Sequence, residues 1–294
     1  MSGRWHVTKR FSSRRGSWRM RRRAYLLVLY GFLGIMIVYN IIPFYWMVAT
    51  SFKSATESYK IPPTLWPEEL TFYAYRRVLM WTPFPRYFAN SIVVSGCTSL
   101  FSTLIGTLAG YACSRFYIRG KRWFLGAVLA TQMLPGVLLV GPYFRVLSKI
   151  GLYDTLAGLI LAFTSITLPF SIWMMKGFCD TVPRELDEAA FVDGCSYFGV
   201  FARVIVPLIG PGMVATVIFA FLLAWGDLLW SACLIASTSK RTVTLVLSQM
   251  VTEYRVMWPE LMAGSLIATL PPVLLYLILQ KYLVRGLTAG AVKG

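Results

Sequence analysis

Long stretches without charge constrain this chain more than any other feature of its sequence. Six apolar stretches recur along it, and all but the fifth lack Asp, Glu, Lys and Arg: 24–49, 87–114, 123–144, 155–175, 204–239 and 261–280. About 20 helical residues cross the hydrocarbon core of a bilayer, and backbone polar groups there must be bonded within the segment. The pattern predicts an all-α membrane protein with six transmembrane helices.

The segments between these stretches divide the chain. Residues 1–23 hold nine Lys and Arg among Ser and Gly, which predicts a basic, disordered tail. A six-helix transmembrane domain then covers 24–282, with a Pro-rich outer loop at 50–86 and a second polar loop at 177–208. Residues 283–294 form a tail. Within the outer loop, LTFYAYRRVL suits a short helix at the membrane interface, and a plain loop is the alternative.

The excess of positive charge is best explained by topology. The net charge is +17, but the Lys and Arg residues lie between apolar stretches rather than across a soluble face, so a nucleic-acid partner is not indicated. Both ends of the chain and the loops after the second and fourth stretches hold 19 Lys and Arg, against 10 in the other loops. The positive-inside rule therefore predicts that both termini and the 177–208 loop are cytoplasmic.

The start of the 177–208 loop carries signals for a helix. Asp180 or Thr181 could cap it, and Pro183 suits its first turn. The three acidic residues at 185, 187 and 188 favour the positive end of the helix dipole. A helix is therefore predicted to begin near Pro183.

The end of that helix is predicted at Gly194, because glycine adopts the left-handed conformation that ends helices. The apolar sequence SYFGVFARVIV then resumes a helical pattern until Pro207. We expect two short helices that meet at a bend. Ala189 and Ala190 would leave a flat surface for a partner, and the alternative is a loop helix packed on its own bundle.

The same loop carries a family resemblance. Glu188-Ala189-Ala190 is followed after three residues by glycine, and nine residues later by the sequence VIVP. This spacing resembles the EAA motif of membrane subunits of ABC importers. In that family the motif forms the coupling helix, which sits in a cleft of the ATPase subunit. The resemblance implies this contact for Glu188, Ala189, Ala190, Asp193, Gly194 and Pro207.

Other segments narrow the resemblance to permeases of the carbohydrate-uptake type. LTFYAYRRVL followed by FPRYFANSIVVS, which contains Asn90, is similar to the outer loop of sugar-importer permeases, and FAFLLAWGDLLW resembles their fifth span. The tail GLTAGAVKG is similar to that of G-type subunits of maltose importers. One departure is Gly226, where the family usually has Asn. The resemblance implies a type I ABC importer permease fold in the cytoplasmic membrane of a bacterium or archaeon.

Asp227 is the one ionisable residue within the apolar stretches. An intramembrane acid is expected to face the bundle interior or a watery path. It could line the path or act as a pivot near a gate, together with Trp225 and Asn90. Alternatively, it is a hydrogen-bonded packing residue flanked by Trp225 and Trp230.

The chain's C-terminal tail has two interpretations. Small residues and one lysine without an apolar face are typical of a frayed end. The resemblance implies instead that the tail reaches the ATPase dimer interface, through Gly286, Gly290 and Lys293.

The sequence contains no recognisable catalytic motif. It contains no GxxxxGK[ST] phosphate-binding loop, and the sole histidine, His6, leaves no triad or zinc site. We expect an accessory subunit rather than an enzyme, with no catalytic residue, metal or cofactor of its own. The resemblance implies that ATP and Mg²⁺ are bound by a separate ATPase dimer.

The resemblance implies further partners, which are a second, homologous permease, an extracytoplasmic solute-binding protein, membrane lipid and a saccharide substrate. Three alternatives stay open at this point. An importer of a non-sugar solute would share the coupling motif. A secondary transporter would require several intramembrane ionisable groups and internal repeats, and a membrane scaffold would show no uptake.

Overall fold

The computed structural model describes residues 12–251 and 256–291, which are almost entirely helical. The α-helices in chain order are α1 Ser12–Ser51, α2 Tyr73–Arg76, α3 Phe84–Arg115, α4 Lys121–Ala130, α5 Gly136–Lys149, α6 Leu156–Thr181, α7 Arg184–Val192, α8 Tyr197–Val200, α9 Val206–Leu208, α10 Gly210–Gly226, α11 Leu229–Leu234, α12 Val243–Gln249 and α13 Trp258–Ala291. Within these ranges β-pairing is limited to one isolated bridge, between Val251 and Val256.

Four segments of the described chain are long and apolar enough to cross a membrane: Tyr25–Ser51, Phe84–Arg115, Leu156–Thr181 and Trp258–Tyr282. Two bent helix pairs, Lys121–Met133 with Gly136–Lys149 and Tyr197–Leu208 with Gly210–Gly226, raise the number to six if each pair is one span. The predicted all-α class with apolar spanning helices is thus confirmed.

The two terminal helices are longer than the sequence predicts. Helix α1 begins at Ser12, so the second half of the basic segment 1–23 is helical rather than disordered. Arg and Met are good helix formers, and they extend the spanning helix backwards. Similarly, α13 continues to Ala291, so most of the expected tail 283–294 is the last part of a helix.

Two of the six apolar stretches are broken. The stretch 123–144 holds Pro135, Gly141 and Pro142, each of which predicts a break. The chain bends by 103° beside Pro135, whereas the breaks predicted at Gly141 and Pro142 are wrong, because both residues lie inside α5. The stretch 204–239 is not one helix, since α10 ends at Gly226 and a separate α11 follows. In the outer loop, LTFYAYRRVL does form a short helix, α2, which continues as a π-helical turn to Trp81.

Helix α3 is the centre of the bundle, and it packs along α6 and α10. Its contact with α6 is unusually close at two glycines. A Cβ atom at Gly106 would lie 2.7 Å from Ser171 Cβ, and one at Gly110 would lie 2.6 Å from the backbone N of Lys176. Small residues allow such backbone contact in membranes, where helices gain little from the hydrophobic effect on associating. The two glycines, which are four residues apart in a GxxxG pattern, therefore have a packing role.

Asp154 joins the turn after α5 to the segment after α11. Its Oδ1 accepts hydrogen bonds from the backbone N–H groups of Ala236 and Ser237, both at 2.9 Å, and the Ser237 hydroxyl donates to Oδ2. Lys240 Nζ lies 3.4 Å from Oδ2. The Ser237 hydroxyl, then the backbone donors and the Lys240 charge, lower the pKa of Asp154 to about 2.

The glycine contact predicts that Gly110→Ala destabilises the protein. The added methyl group would meet the backbone of α6, so the two helices must separate, which should cost about 1–3 kcal/mol. The matched control is Gly96→Ala on the same helix, where nothing lies within 4 Å of the added atom. Thermal unfolding of the detergent-purified protein measures both variants, and equal midpoints would contradict the close contact.

The lowered pKa of Asp154 predicts a pH-dependent contribution to stability. Because the folded value of about 2 lies below the ordinary value of 3.8 for an aspartate, the contribution is full above the unfolded pKa and is lost as pH falls through the folded one. Asp154→Asn should therefore lower the unfolding midpoint near neutral pH, and the difference from wild type should shrink toward a pH of about 2. Exposed Glu69 provides the control, Glu69→Gln.

Candidate functional site

Helix α7 forms the first half of the polar loop, and its start differs from the prediction. Asp180 and Thr181 belong to the last turn of α6 and do not cap α7, which begins at Arg184 directly after Pro183. Asp180 stays in α6 because Lys176, one turn earlier, pairs with it. A favourable contact between helix neighbours thus extends α6 past the expected cap.

The end of α7 agrees with the prediction. Gly194 has φ of +82°, in the left-handed region. Its N–H donates to the Phe191 carbonyl at 3.0 Å, and the Cys195 N–H donates to the Ala190 carbonyl at 2.9 Å. This pair of bonds is the Schellman motif, which satisfies the last carbonyls of a helix. Asp193 is the exposed last residue before the glycine.

A buried ion pair attaches α7 to the end of α3. Arg115 Nε lies 2.6 Å from Asp187 Oδ2, and both side chains are about nine-tenths buried. The geometry is that of a close ion pair rather than of an aligned hydrogen bond. Removing one partner of such a pair leaves an uncompensated charge, which is strongly destabilising. This pair therefore determines where α7 lies relative to the membrane helices.

Hydrogen bonds to backbone carbonyls strengthen the same attachment. Arg115 Nη2 donates to the Val182 carbonyl at 2.9 Å, and Arg184 Nη2 donates to the Ser114 carbonyl at 3.1 Å. The Ser114 hydroxyl donates to Asp180 Oδ1 at 2.6 Å. The last carbonyls of a helix are good acceptors for cationic side chains. The end of α3 and the loop are thus joined at three more points.

The two faces of α7 differ in exposure. Glu188 and Ala189 are exposed, and Val192 near the end of the helix is 88% exposed. Ala190, by contrast, is only 8% exposed and packs in an apolar cluster with Met175 and Ile205. The expectation that both alanines form an open surface is wrong for Ala190, because α7 turns that side toward its own bundle.

A cavity of about 240 Å³ lies between α7 and the end of α3. Its wall includes Tyr111, Phe116 and Tyr197 as well as the ion pair. Tyr197 packs against Phe116 and Phe191, with ring centroids 5.5 and 4.9 Å apart. The aromatic contacts join the end of α3 to α7 and α8, while Tyr197 stays largely exposed.

The second half of the loop returns the chain to the bundle. Helix α8 leads through a π-helical turn, Phe201–Ile205, into the short helix α9. Pro207 lies exposed in α9, and the chain then bends by 76° into α10. The two predicted short helices and their bend are confirmed in this arrangement. The sequence did not indicate the π-helical turn.

The residues singled out for the path all have structural partners. Asn90 Nδ2 donates to the carbonyls of Ser239 and Arg241 at 3.0 and 2.9 Å. Trp225 Nε1 donates to the Ala268 carbonyl at 3.1 Å. Asp227 Oδ1 accepts from the N–H groups of Trp230 and Ser231 and so caps α11. These contacts fit the packing interpretation of Asp227, and a role in the path stays a prediction.

The three tail residues are only partly described. Gly286 and Gly290 lie in the last turns of α13, and Lys293 lies outside the described residues.

Sequence reasoning missed Arg115 and Asp187 as a pair. One signal was available, since Arg115 is the first charge after an uncharged stretch and Asp187 directly precedes the EAA motif. Their contact joins two distant parts of the chain, however, and no local pattern predicts it. Gln132 and Tyr143, which border a cavity beside the break between α4 and α5, were missed for the same reason.

Comparison with known proteins gives a consistent result. The family model described as "Binding-protein-dependent transport system inner membrane component" matches residues 102–289. The inner membrane ABC transporter permease protein YcjP of Escherichia coli K12 is 35% identical over 264 residues, which cover 89% of this chain and 94% of YcjP.

Two further relatives are named for sugar transport. The diacetylchitobiose uptake system permease protein DasC of Streptomyces coelicolor is 33% identical, with 88% of this chain and 94% of DasC aligned. The trehalose/maltose transport system permease protein MalG of Thermococcus litoralis is also 33% identical over the same shares of the two chains. The resemblance to carbohydrate-uptake permeases is thereby confirmed.

The fold has a solved counterpart. A chain in the crystal structure of a bacterial ABC transporter involved in the import of the acidic polysaccharide alginate superposes with a TM-score of 0.79. The match covers 94% of this chain and 99% of that one at 22% identity. At this level of identity, the likeness concerns the fold alone.

The buried ion pair predicts that Asp187→Asn lowers the stability of the protein by about 3 kcal/mol, since Arg115 would keep a buried charge without its counter-charge. The matched control is Glu185→Gln, an exposed acid in the first turn of the same helix. Thermal unfolding, with protease digestion of the loop as a local probe, measures both. The double variant Arg115→Met, Asp187→Leu should recover part of the loss. Equal effects of the two single variants would contradict the pair's role.

Proposed function

The chain belongs to the family of binding-protein-dependent transport system inner membrane components, as a permease subunit of an ABC importer, and we propose that its cargo is a sugar or oligosaccharide. Relatives aligned over nearly nine-tenths of the chain are named for diacetylchitobiose and for trehalose or maltose. Membership in this family leaves no support for a secondary transporter. An importer of a non-sugar solute is the remaining alternative.

The proposed topology has six spans with both termini in the cytoplasm of a bacterial or archaeal cell. It treats each bent helix pair as one span. The Lys and Arg residues support this orientation, because 19 of them would then lie on the cytoplasmic side and 10 outside. In this orientation α7 projects into the cytoplasm, and Asp154 with its partners lies on the outer side.

One observation supports the coupling role of α7 above all others. The helix exposes Glu188, Ala189 and Val192 on one side, while Asp187 on the other side is held by Arg115 in the bundle. Other large apolar side chains of this loop are exposed as well, namely Leu186, Tyr197 and Phe198. Exposed apolar surface of this kind is typical of a protein contact. A firmly attached helix with such a face would transmit a rigid-body push from a partner to α3.

The partners follow from this role. An ATPase dimer, which binds ATP and Mg²⁺, would receive the exposed face of α7, and this chain would bind no cofactor itself. A second, homologous permease would complete the path across the membrane, and an extracytoplasmic binding protein would deliver the saccharide. The end of α13, with Gly286, Gly290 and Lys293, is proposed to reach the ATPase as well.

The residues predicted for the translocation path, Asn90, Trp225 and Asp227, are proposed to hold helical segments in place. Asn90 holds the segment before α12 against α3, and Asp227 caps α11. Trp225 holds α10 against α13. Each contact lies near the outer side, on helices that would have to move in alternating access. In this proposal they steady a gate, and none needs to touch the cargo.

The cargo and the coupling can be tested together in proteoliposomes that contain the whole complex, with uptake and ATP hydrolysis measured side by side. Binding protein loaded with maltose or trehalose should stimulate hydrolysis and uptake, whereas amino acids and metal ions should not be carried. Gly194→Ala should lower uptake per ATP hydrolysed by about tenfold, because a residue with a Cβ costs about 1–2 kcal/mol in the left-handed conformation.

The matched control is Gly177→Ala in α6, where the added atom meets nothing within 4 Å and φ is not positive. This variant should retain wild-type uptake and hydrolysis. Normal coupling in Gly194→Ala would contradict the role of α7. Uptake of an amino acid or an ion in place of any saccharide would contradict the proposed cargo.

A further inference from the structure

A cavity lies at the break between α4 and α5. Its volume is about 550 Å³, within the range of about 300–1,000 Å³ that is typical of small-molecule sites. Residues from five helical elements form its wall: α4, the 3-10 turn Thr131–Met133, α5, α6 and α11. Nothing in the proposed coupling mechanism uses it.

The cavity lies at mid-depth in the membrane. Its contacts on α6 run from Ser165 to Ile172, and α6 itself spans Leu156–Thr181. At a rise of 1.5 Å per residue, each end of this contact is roughly 14 Å from the nearer end of the helix. A bilayer core is about 30 Å thick. The cavity therefore opens close to the midplane.

The broken backbone beside it argues against a lipid-facing position. Leu134 and Pro135 are extended, with ψ of 126° and 127°, and the chain bends there by 103°. Irregular backbone at this depth is tolerated only where protein or a water-filled cavity covers it, because lipid cannot bond to the freed carbonyls. This face of the chain thus belongs against a partner or along an aqueous path.

Aromatic rings form one side of the cavity. The rings of Tyr143 and Trp230 meet edge to face, with centroids 4.9 Å apart and planes at 81°. Asp227 fixes Trp230 through its backbone N–H. Rigid aromatic rings offer an apolar surface at low entropic cost, and the polar atoms at their tips can bond a ligand. Such a surface matches the C–H face of a sugar ring.

Polar groups also converge on the cavity. Gln132 Nε2 donates to the Ile166 carbonyl at 2.8 Å, which orients the amide and leaves its Oε1 as an acceptor. The hydroxyls of Tyr143 and Ser165 lie 2.7 Å apart. An amide and two hydroxyls can both donate and accept hydrogen bonds, which is the pattern that sugar hydroxyls require.

We propose that this cavity is a passage site for one ring of a neutral saccharide, with Gln132, Tyr143 and Ser165 bonding its hydroxyls. This assignment rests on the proposed sugar cargo. It adds the place where the sugar passes and the statement that the sugar is uncharged. No Asp, Glu, Lys or Arg is among the residues that form the wall. A carboxylate would enter without a counter-charge, which is costly in a medium of low polarity. Neutral sugars are therefore favoured over uronic acids.

Discrimination between sugars tests the site. In proteoliposomes with the whole complex, Gln132→Leu and Tyr143→Phe should change the ratio of maltose to trehalose uptake by about three- to tenfold, the effect of one lost hydrogen bond. The matched control is Gln280→Leu in α13, whose exposed amide also donates to a backbone carbonyl. This control should leave the ratio unchanged. Equal slowing of both sugars by Gln132→Leu would indicate a structural role and overturn the proposal.

Cysteine labelling separates this proposal from the proposed function. A water-soluble maleimide should label Gln132→Cys above the level of the native chain, and maltose-loaded binding protein should slow the reaction. Maltose uptake by wild type without any protection at position 132 would overturn the site and leave the sugar cargo intact. Labelling only by a lipid-soluble maleimide would place the cavity against lipid and overturn it too. Absence of any saccharide uptake would overturn both.

Discussion

The close contact between α3 and α6 is the interaction on which the rest of the structure depends. Lipid tails are as apolar as the helix surfaces, so helices associate by packing rather than by burial from water. At Gly106 and Gly110 the backbone of α3 touches α6 without an intervening side chain. This contact fixes the relative height of the two helices. It therefore also fixes which residues meet where both helices end.

At that end, the loop between α6 and α10 is assembled on α3. Arg115 is the last residue of α3, and it reaches both Asp187 and the Val182 carbonyl. Helix α7 is too short to be stable alone, because isolated helices of fewer than about 12 residues are marginal in water. Its position is set by the buried pair and its end by the Gly194 motif. The result is a helix that is attached at several points and has one exposed face, which is what the proposed mechanical role requires.

Breaks in the helices expose polar groups inside the membrane. Pro135 and Asp227 each end a helix within an apolar stretch. Both breaks border the same region. Asp227 caps α11, and α11 places Trp230 in the wall of the cavity beside Pro135. Polar backbone and ring edges are thereby collected at mid-depth, where an unbroken helix would present only side chains. A bundle of straight helices would offer a sugar far fewer partners.

The sequence by itself determined the helical class, the break at Pro135 and the left-handed turn at Gly194, because each depends on local rules of charge, hydropathy and backbone geometry. The spacing of Glu188-Ala189-Ala190, Gly194 and Pro207 also carried the resemblance to the EAA motif. Only the tertiary structure decided that Ala190 faces inward, that Arg115 meets Asp187, and that Gln132, Tyr143 and Trp230 border one cavity. These contacts join residues far apart in the chain, and which of them meet depends on how closely α3 and α6 can approach.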